Sequence, residues 1–245
     1  MKITSDNKLS FFKKITGTYI ADLAGLNRFK PRGDAILSMM GVVKEPFDKF
    51  YTNRGRIAEK LALITLQKRG LPCVTYNASD IDYDNFPEQP YFGGLIDIEI
   101  PALKTLYEIK SKSIKDYDKI SKFGDSVQEE QAMHYAWLRN YKEAHIMWIF
   151  FDEQSEYEIL NNRPLSSYSN LKMYEKTLPI DFEYQSKIHH EALHYYIECL
   201  AKCEVPIDDI SDKYLELLKM KRPNTISNQN GNSGQKQSNL FGQFN

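Results

Sequence analysis

The sequence of 245 residues has little cysteine, no long apolar run and almost no net charge. Three cysteines (Cys73, Cys199 and Cys203) are too few for a four-thiolate iron–sulfur or zinc site, and an odd number provides no disulfide framework. We therefore expect a reducing, intracellular compartment and no iron–sulfur cluster. No segment approaches the ~20 apolar residues of a membrane span, and no apolar run marks a signal peptide. These absences predict a soluble, cytoplasmic protein with no membrane partner.

The charge balance excludes one way of binding nucleic acid. The chain has 32 basic and 33 acidic residues, a formal charge of −1, so bulk electrostatic attraction to a polyanion is not expected. A local basic groove remains compatible with this balance. Hydrophobic residues make up 42% of the chain and aromatic residues 13%, which is enough apolar surface to offset the entropy of folding. The sequence therefore predicts a folded domain with a substantial core.

Helical and strand periodicities alternate along the chain, which predicts a mixed α/β fold. The composition changes after Lys221 to Asn, Gln, Ser and Gly, so we expect a folded domain over 1–222 and a flexible tail over 223–245. Helices are predicted at 53–69, 124–140, 181–203 and 207–221, and strands at 72–77, 91–100, 104–112, 143–152, 156–160 and 172–177. The strands at 91–100 and 104–112 are close enough in sequence to form a hairpin.

Three charged residues of this hairpin form a candidate catalytic constellation. Side chains alternate between the two faces of a strand, so Glu108 and Lys110 share a face and Asp97 can approach them across the hairpin. Two carboxylates and one lysine suit phosphodiester hydrolysis, because hard oxygen ligands hold Mg²⁺ or Mn²⁺ and a cation places the attacking water. The spacing alone is weak, since it arises roughly once by chance in a chain with about 6% each of Asp, Glu and Lys.

Two predicted helices add polar residues to this constellation. On a helical wheel Glu59 falls between Leu63 and Leu66 and away from the polar stripe of the 53–69 helix, which suggests a functional carboxylate or a partly buried salt-bridge partner. Gln131 and Tyr135 lie one turn apart on the 124–140 helix and face the same side. The alternative for this pair is ordinary surface polarity together with a packed tyrosine.

These motifs, taken together and in order, resemble those of the PD-(D/E)XK nuclease superfamily. The segments are GRIAE (55–59), GGLIDIE (93–99), YEIKSK (107–112) and QAMHY (131–135). The branch they resemble most is the RecB-like and lambda-exonuclease (YqaJ-like) enzymes. The resemblance implies a restriction-endonuclease-like core with a central mixed sheet flanked by helices. One departure is that Leu95 and Ile96 stand where the superfamily has its proline.

The resemblance also implies a role for each motif residue. Asp97 and Glu108 would ligate Mg²⁺ or Mn²⁺ together with the main-chain carbonyl of Ile109, and Lys110 would orient the attacking water. Glu59 would hold a second metal ion or its water. Gln131 and Tyr135 would contact the DNA strand or position Lys110. Whether Lys110 acts as a donor or, with a lowered pKa, as a base stays open at this point.

Basic residues outside the motifs are candidates for binding DNA. In the lambda-exonuclease branch an N-terminal arginine holds the 5′-phosphate, and Arg28 and Arg32 both precede Glu59 as candidates. Beyond the YEIKSK motif, Lys112 and Lys115 begin a basic run interrupted by aromatic residues, which could follow a phosphate backbone. The alternative is a solvated loop, because aspartates dilute the run.

A second motif predicts different chemistry. His190, Glu191 and His194 have the H-E-x-x-H spacing, which places two imidazoles on one face of a helix with a glutamate as base, and Glu216 is conceivable as a third ligand. A zinc hydrolase is therefore an alternative, although little chain follows the motif to build a substrate cleft. A packed helix with an exposed histidine face is the simpler interpretation.

The tail contains a possible binding peptide. Gln237, Leu240 and Phe241 fit the Q-x-x-L-F pattern of peptides that dock into the bacterial β sliding clamp, and a flexible linker ending in an apolar anchor suits a tether. The alternative is a tail that caps its own domain or makes oligomer contacts.

Taken together, the sequence predicts a Mg²⁺- or Mn²⁺-dependent DNA exonuclease acting at duplex ends in phage-type recombination or repair. The resemblance implies 5′→3′ digestion, a homotrimer and a single-strand annealing protein as partner. The alternatives are an endonuclease or single-strand-specific repair nuclease of the same superfamily, the zinc metalloprotease, and a DNA-binding protein without catalytic activity.

Overall fold

A computed structural model describes residues 13–43, 48–168 and 170–219. The predicted domain boundary at 222 and the possible clamp-binding residues Gln237, Leu240 and Phe241 lie outside these residues. The strands are β1 (Ile15–Thr16), β2 (Phe92–Gly93), β3 (Ile98–Ile100), β4 (Thr105–Ser113), β5 (Glu143–Phe151) and β6 (Lys172–Pro179). The α-helices are α1 (Gly17–Leu23), α2 (Arg32–Met39), α3 (Lys49–Lys68), α4 (Tyr117–Phe123), α5 (Ser126–Leu138), α6 (Glu153–Leu160), α7 (Phe182–Lys202) and α8 (Asp212–Leu217).

A four-stranded mixed sheet with the order β3-β4-β5-β6 forms the centre of the fold. β3 and β4 are antiparallel, as the predicted hairpin requires, β4 and β5 are parallel, and β5 and β6 are antiparallel. From Ile146 to Phe151 every residue of β5 is buried, because helices cover both faces of this central strand. The predicted mixed α/β architecture is confirmed.

The alternation of β4 divides its side chains between two hydrophobic cores. Leu106 packs into the core on the face covered by α1, α5 and α7, whereas Tyr107 and Ile109 pack into the core under α3 and α6. Glu108 and Lys110 are in phase with Leu106 and therefore point toward α5. The predicted separation of Glu108 and Lys110 from Tyr107 and Ile109 is confirmed.

A small second sheet ties the start of the described chain to the segment that precedes β3. β1 pairs with β2 in parallel, with Thr16 opposite Gly93. The side chain of Asp84 accepts hydrogen bonds from Gly94 N at 3.1 Å and Lys14 Nζ at 2.6 Å, and Asn85 Oδ1 accepts one from Ile96 N at 2.8 Å. These bonds fix the backbone that leads into Asp97.

Several predicted boundaries differ from the structure for identifiable reasons. α3 begins four residues before Asn53, because Asp48 caps it by accepting a hydrogen bond from Phe50 N. The strand predicted at 72–77 is reduced to a single bridge between Val74 and Glu99. The strand predicted at 156–160 is wrong: the segment is helical in α6, which Asp152 caps. The helix predicted at 207–221 is short, and α4 was not predicted.

Two buried histidines connect α5 and α7 beside β2. His189 Nδ1 donates to the carbonyl of Gln185 at 2.6 Å, so its Nε2 accepts from His134 Nδ1 at 2.8 Å. When both rings are neutral, His134 Nε2 has no proton to donate to the carbonyl of Gly93, which lies 3.3 Å away. Burial lowers the pKa of His189 to about 4, and burial together with His189 lowers the pKa of His134 well below its usual range. Both rings are therefore neutral at pH 7.

This pair should contribute less to stability in acid than at neutral pH. The unfolded chain protonates His189 near pH 6.5 but the folded chain near pH 4, so the unfolded state binds more protons between these values. The contribution of His189 to the free energy of unfolding should therefore fall by about 3 kcal/mol as the pH drops from 6.5 to 4, since one pKa unit corresponds to roughly 1.4 kcal/mol; the buried carboxyl groups, whose pKa values are raised, contribute with the opposite sign, so the effect is read from the difference between two variants. Urea unfolding of the wild type and of His189→Asn across this range measures the effect.

The variant removes the buried imidazole, so between pH 6.5 and pH 4 its free energy of unfolding should rise by that amount relative to the wild type. His190→Ala is the matched control, because His190 is the exposed neighbour on the same helix and should leave the pH dependence unchanged. An equal pH dependence in the wild type and His189→Asn would contradict the assignment.

Candidate active site

The residues of the four sequence motifs line one pocket at the end of the β3–β4 hairpin. Asp97 precedes β3, Glu108 and Lys110 lie on β4, and Gln131 and Tyr135 lie on α5. We call this cavity the acidic pocket; its lining includes Glu59, Asp97, Glu108, Ile109, Lys110, Gln131 and Tyr135. The structure thus brings together residues that are up to 76 positions apart in sequence, from Glu59 to Tyr135.

Asp97 is held by the backbone of the neighbouring strand. The ladder between β3 and β4 ends at the pair Ile98 and Tyr107, which leaves the next edge of β4 unpaired on this side. Ile109 N fills that gap by donating to Asp97 Oδ2 at 2.7 Å. The N–H and C=O of one strand residue point to the same edge, so the carbonyl of Ile109 also faces the side where Asp97 lies. One carboxylate and one carbonyl oxygen therefore share this edge.

Lys110 links Glu108 to α5. Its Nζ donates to Glu108 Oε1 at 2.6 Å and to Gln131 Oε1 at 2.9 Å, which fixes the ammonium at the wall of the pocket. Glu108 is only 2% exposed, and its other oxygen, Oε2, is buried with no hydrogen-bond partner among the described residues. A buried acceptor without a partner costs free energy, and a cation bound at this oxygen would remove that cost.

The acidic pocket brings three carboxyl groups close to one ammonium, that of Lys110. Burial, followed by the charge of Asp97, raises the pKa of Glu108 to about 8, although Lys110 opposes the shift. Burial also raises the pKa of Asp97. Burial and Asp97 together raise the pKa of Glu59 to about 7, even though this side chain is exposed at the mouth of the pocket. A further cation would keep all three carboxylates ionised.

Lys110 itself is a charged donor. Burial alone would lower the pKa of Lys110, but Glu108 and Asp97 outweigh burial and leave the pKa raised. The ammonium form donates to both Glu108 and Gln131 and keeps a third N–H group. Of the two roles left open by the sequence, the raised pKa therefore favours a positioned hydrogen-bond donor over a base.

The pocket fits Mg²⁺ or Mn²⁺ through few protein ligands. Within residues 13–43, 48–168 and 170–219, no three His, Cys, Asp or Glu side chains are grouped closely enough to hold an ion. Asp97, Glu108 with its unpartnered oxygen, and the Ile109 carbonyl nevertheless supply hard oxygen donors. Mg²⁺ typically uses one or two carboxylates and completes its shell with water and substrate phosphate. Glu59 is then the residue available for a second ion or its water.

The H-E-x-x-H motif has a different environment. His190, Glu191 and His194 are all exposed on α7, and the ring centroids of the two histidines are 6.1 Å apart. No third ligand joins them in the part of the chain that the structure describes. The simpler interpretation, an exposed histidine face on a packed helix, agrees with these positions.

Tyr135 is enclosed by two glycines. Its side chain is 2% exposed, and a Cβ on Gly17 or Gly94 would lie 2.7 Å from its ring or hydroxyl oxygen. Gly94 also has φ of +127°, a conformation that other residues rarely adopt. These close approaches bring the start of α1 and the segment before Asp97 against the ring. Tyr135 therefore lies between the elements that build the pocket.

The basic residues proposed from the sequence lie outside the acidic pocket. Arg28 is exposed in the loop between α1 and α2. Arg32 donates to the carbonyl of Leu23 at 2.7 Å and lies 4.0 Å from the ring centroid of Tyr195, so α7 holds its guanidinium. Lys112 is 3.4 Å from Asp125, and Lys115 forms an exposed ion pair with Glu153 at 3.2 Å.

Three residues that sequence reasoning missed also line the acidic pocket. They are Thr16, Thr18 and Tyr83. Thr16 and Thr18 reach it because β1 pairs with β2, a contact between strands of two residues each that leaves little periodic signal in the sequence. Tyr83 belongs to a loop rich in aspartate, where a tyrosine shows no pattern that could mark it as a site residue.

The arrangement of elements is similar to that of two solved structures that are named exonucleases. A phage-related exonuclease from Haemophilus somnus 129PT aligns with a TM-score of 0.55 at 17% identity, covering 81% of this chain and 100% of that one. An alkaline exonuclease, LHK-Exo, from Laribacter hongkongensis aligns with a TM-score of 0.55 at 14% identity, covering 88% and 98%. The chain has the fold of these exonucleases. The restriction-endonuclease-like core implied by the resemblance is confirmed at this level.

The sequence relatives cover a smaller part of the chain. No family model matches. An uncharacterised protein from Mycoplasma pneumoniae, the MG373 homologue, is 29% identical over 89 residues, which is 36% of this chain. Protein MG373 from Mycoplasma genitalium is 29% identical over 91 residues. The aligned part spans 32% of the length of each of these relatives. Among the described residues, no helix has the length and apolar content needed to cross a bilayer.

The ligand set predicts where a divalent ion binds. In Asp97→Asn the amide oxygen can still accept from Ile109 N, so the fold should persist while one charge is lost. Mn²⁺ affinity, measured by calorimetry or by electron paramagnetic resonance, should fall by at least about 100-fold, because even residues that only orient a ligand are worth roughly 10- to 100-fold.

Asp208→Asn provides the matched control, since Asp208 is exposed and distant in sequence from every pocket residue. This variant should bind Mn²⁺ like the wild type. Equal Mn²⁺ affinity in Asp97→Asn and Asp208→Asn would show that the ion binds elsewhere.

Proposed function

We propose that this protein is a Mg²⁺- or Mn²⁺-dependent deoxyribonuclease that hydrolyses phosphodiester bonds at the ends of duplex DNA. The observation that carries the proposal is the buried oxygen of Glu108 that has no hydrogen-bond partner among the described residues, beside Asp97 and the fixed ammonium of Lys110. The fold supports it, because the similar structures are named exonucleases and LHK-Exo has also been crystallised with dAMP.

Asp97, Glu108 and the carbonyl of Ile109 would hold the divalent ion, and Glu59 would hold a second ion or its water. When bound, the ion supplies Lewis acidity that polarises a phosphoryl oxygen and eases deprotonation of the attacking water. The protein contributes a rigid frame for this chemistry. Ile109 N holds Asp97 in place, and Lys110 holds Glu108, so neither carboxylate has to reorganise when substrate binds.

Lys110 acts on the substrate as a positioned cation. The contacts to Glu108 and Gln131 use two of its three N–H groups, which leaves one to donate to the attacking water or to a phosphoryl oxygen. Negative charge grows on the phosphoryl oxygens in the transition state, so a donor fixed in advance stabilises that state more than the ground state. Gln131 sets the position of the ammonium, and the buried Tyr135 supports the same wall.

The path of the DNA beyond the pocket is assigned by charge and exposure. Lys112 follows Lys110 on the same face of β4, and Lys115 is exposed just beyond the strand. Between the two candidates for a terminal phosphate we favour Arg28, because it is exposed whereas Arg32 is held by Leu23 and Tyr195. The 5′→3′ polarity, a homotrimer, an annealing partner, a sliding-clamp contact and a role in phage-type recombination or repair belong to the proposal through the resemblance.

The function is tested by hydrolysis assays on defined DNA. The substrates are 5′-phosphorylated linear, 5′-hydroxyl linear, circular and single-stranded DNA, each with Mg²⁺, with Mn²⁺ and with chelator. The wild type should degrade linear duplex only with a divalent ion. Lys110→Met should lose roughly 100- to 1,000-fold in rate, the usual cost of removing one donor that stabilises developing charge.

His194→Ala is the control variant, because its side chain is exposed on α7 and belongs to the alternative motif. It should retain wild-type activity. Loss of activity in His194→Ala but not in Lys110→Met would overturn the assignment in favour of the H-E-x-x-H motif. Cleavage of circular duplex would show that the protein is an endonuclease and not an exonuclease. If the folded wild type binds DNA but does not hydrolyse it, the protein is a DNA-binding protein without catalytic activity.

A further inference from the structure

Tyr83 is an aromatic residue on the wall of the acidic pocket for which packing provides no explanation. Its side chain is 67% exposed. Its backbone has φ of 61°, and Asp82 before it has φ of 49° and ψ of 38°, so two successive residues other than glycine adopt the left-handed conformation. That conformation is uncommon for a bulky residue, and it persists only where the surrounding structure imposes it.

The loop is fixed on both sides of Tyr83. The backbone N of Tyr83 donates to the carbonyl of Ala78 at 2.8 Å, and Asp84 N donates to that of Ile81 at 3.0 Å. The Asp84 carboxylate accepts from Lys14 and from Gly94 N, three residues before Asp97. The conformation of Tyr83 is therefore coupled to the same backbone segment that positions a proposed metal ligand.

The chemistry of the pocket shows what such a ring can contact. The rest of the lining consists mainly of hydroxyls, carboxylates and the Lys110 ammonium, and the other aromatic residue there, Tyr135, is buried. A nucleotide has a charged phosphate, which the ammonium and a metal ion can bind, and a flat base, which they cannot. An exposed aromatic ring is the group that binds a base, because stacking is largely independent of base identity.

We propose that Tyr83 stacks on the base of the nucleotide whose phosphate lies at Lys110. A base inside a duplex is covered on both faces by its neighbours, so the ring can stack only on a terminal or unpaired base. Tyr83 is thus a specificity-determining residue for nucleotides that have left the helical stack. The inference rests on the proposed nuclease function and assigns a substrate feature to the same pocket.

The first test compares DNA affinity among variants. Fluorescence anisotropy with Ca²⁺ in place of Mg²⁺ measures binding of a short frayed duplex. Tyr83→Phe keeps the ring and should bind like the wild type, whereas Tyr83→Ala should bind roughly 5- to 150-fold more weakly, the range expected for one lost stacked base. Tyr157→Ala is the matched control, because Tyr157 is 57% exposed on α6 and does not line the pocket; it should bind normally.

A second variant separates stacking from folding. Glycine accepts the left-handed conformation, so Tyr83→Gly should melt no lower than Tyr83→Ala and yet show the same weak binding. If Tyr83→Gly binds like the wild type, the ring makes no contribution and the inference is overturned.

A modified substrate tests the contact itself. Duplexes with one abasic nucleotide at each of the last three positions of either strand remove the proposed partner of the ring. At one of these positions, the abasic nucleotide should weaken binding by the wild type by the same factor as the Tyr83→Ala substitution weakens binding of the intact duplex. Tyr83→Ala should show no further loss of affinity for the duplex that is abasic at that position. Additive losses at every position would overturn the inference.

The outcomes distinguish this inference from the proposed function. If the wild type hydrolyses DNA but no position couples to Tyr83, the stacking role is wrong and the nuclease stands. If the wild type binds DNA without hydrolysis and one position couples to Tyr83, stacking stands and the nuclease falls. If the wild type neither binds nor hydrolyses DNA, both are overturned.

Discussion

The structure depends on an imbalance of charge in one pocket. Glu108 is buried, Asp97 is half-buried, Glu59 lies at the mouth, and the ammonium of Lys110 faces them. Burial raises the pKa of each carboxyl, and Lys110 can satisfy only one oxygen of Glu108. Buried carboxylates are tolerated when paired or when they coordinate a metal ion. In the proposed function, a divalent ion would compensate these carboxylates and would supply the chemistry that the surrounding residues can use.

The elements around the pocket hold these charged side chains in fixed positions. The antiparallel pairing of β3 and β4 stops at Ile98 and Tyr107, so Asp97 can take the next backbone donor of β4. Asp84 fixes Gly94 on the other side, and the buried ring of Tyr135 fills the space between Gly17 and Gly94. Rigid placement of this kind reduces the reorganisation needed when negative charge develops on a phosphate. The fold thus holds carboxyl groups that repel one another in positions where, in the proposed function, they would bind a metal ion.

Local periodicity predicted the parts of the molecule that depend on neighbours in sequence. The alternation in YEIKS placed Glu108 and Lys110 on one face, because the side-chain period of a strand is independent of tertiary context. The strand predicted at 156–160 was wrong, since the Asp152 cap favours helix. Tyr83 was missed because backbone hydrogen bonds across a loop set its position, and Arg32 could not be separated from Arg28 without knowing that Leu23 and Tyr195 hold it.

The most direct test of the central claim is the location of a bound ion. A crystal grown with Mn²⁺ and measured near the manganese absorption edge reports the ion by anomalous scattering, whatever the activity of the protein. The account predicts a manganese peak between Asp97, Glu108 and the carbonyl of Ile109. A peak at His190 and His194, with none in the acidic pocket, would contradict it.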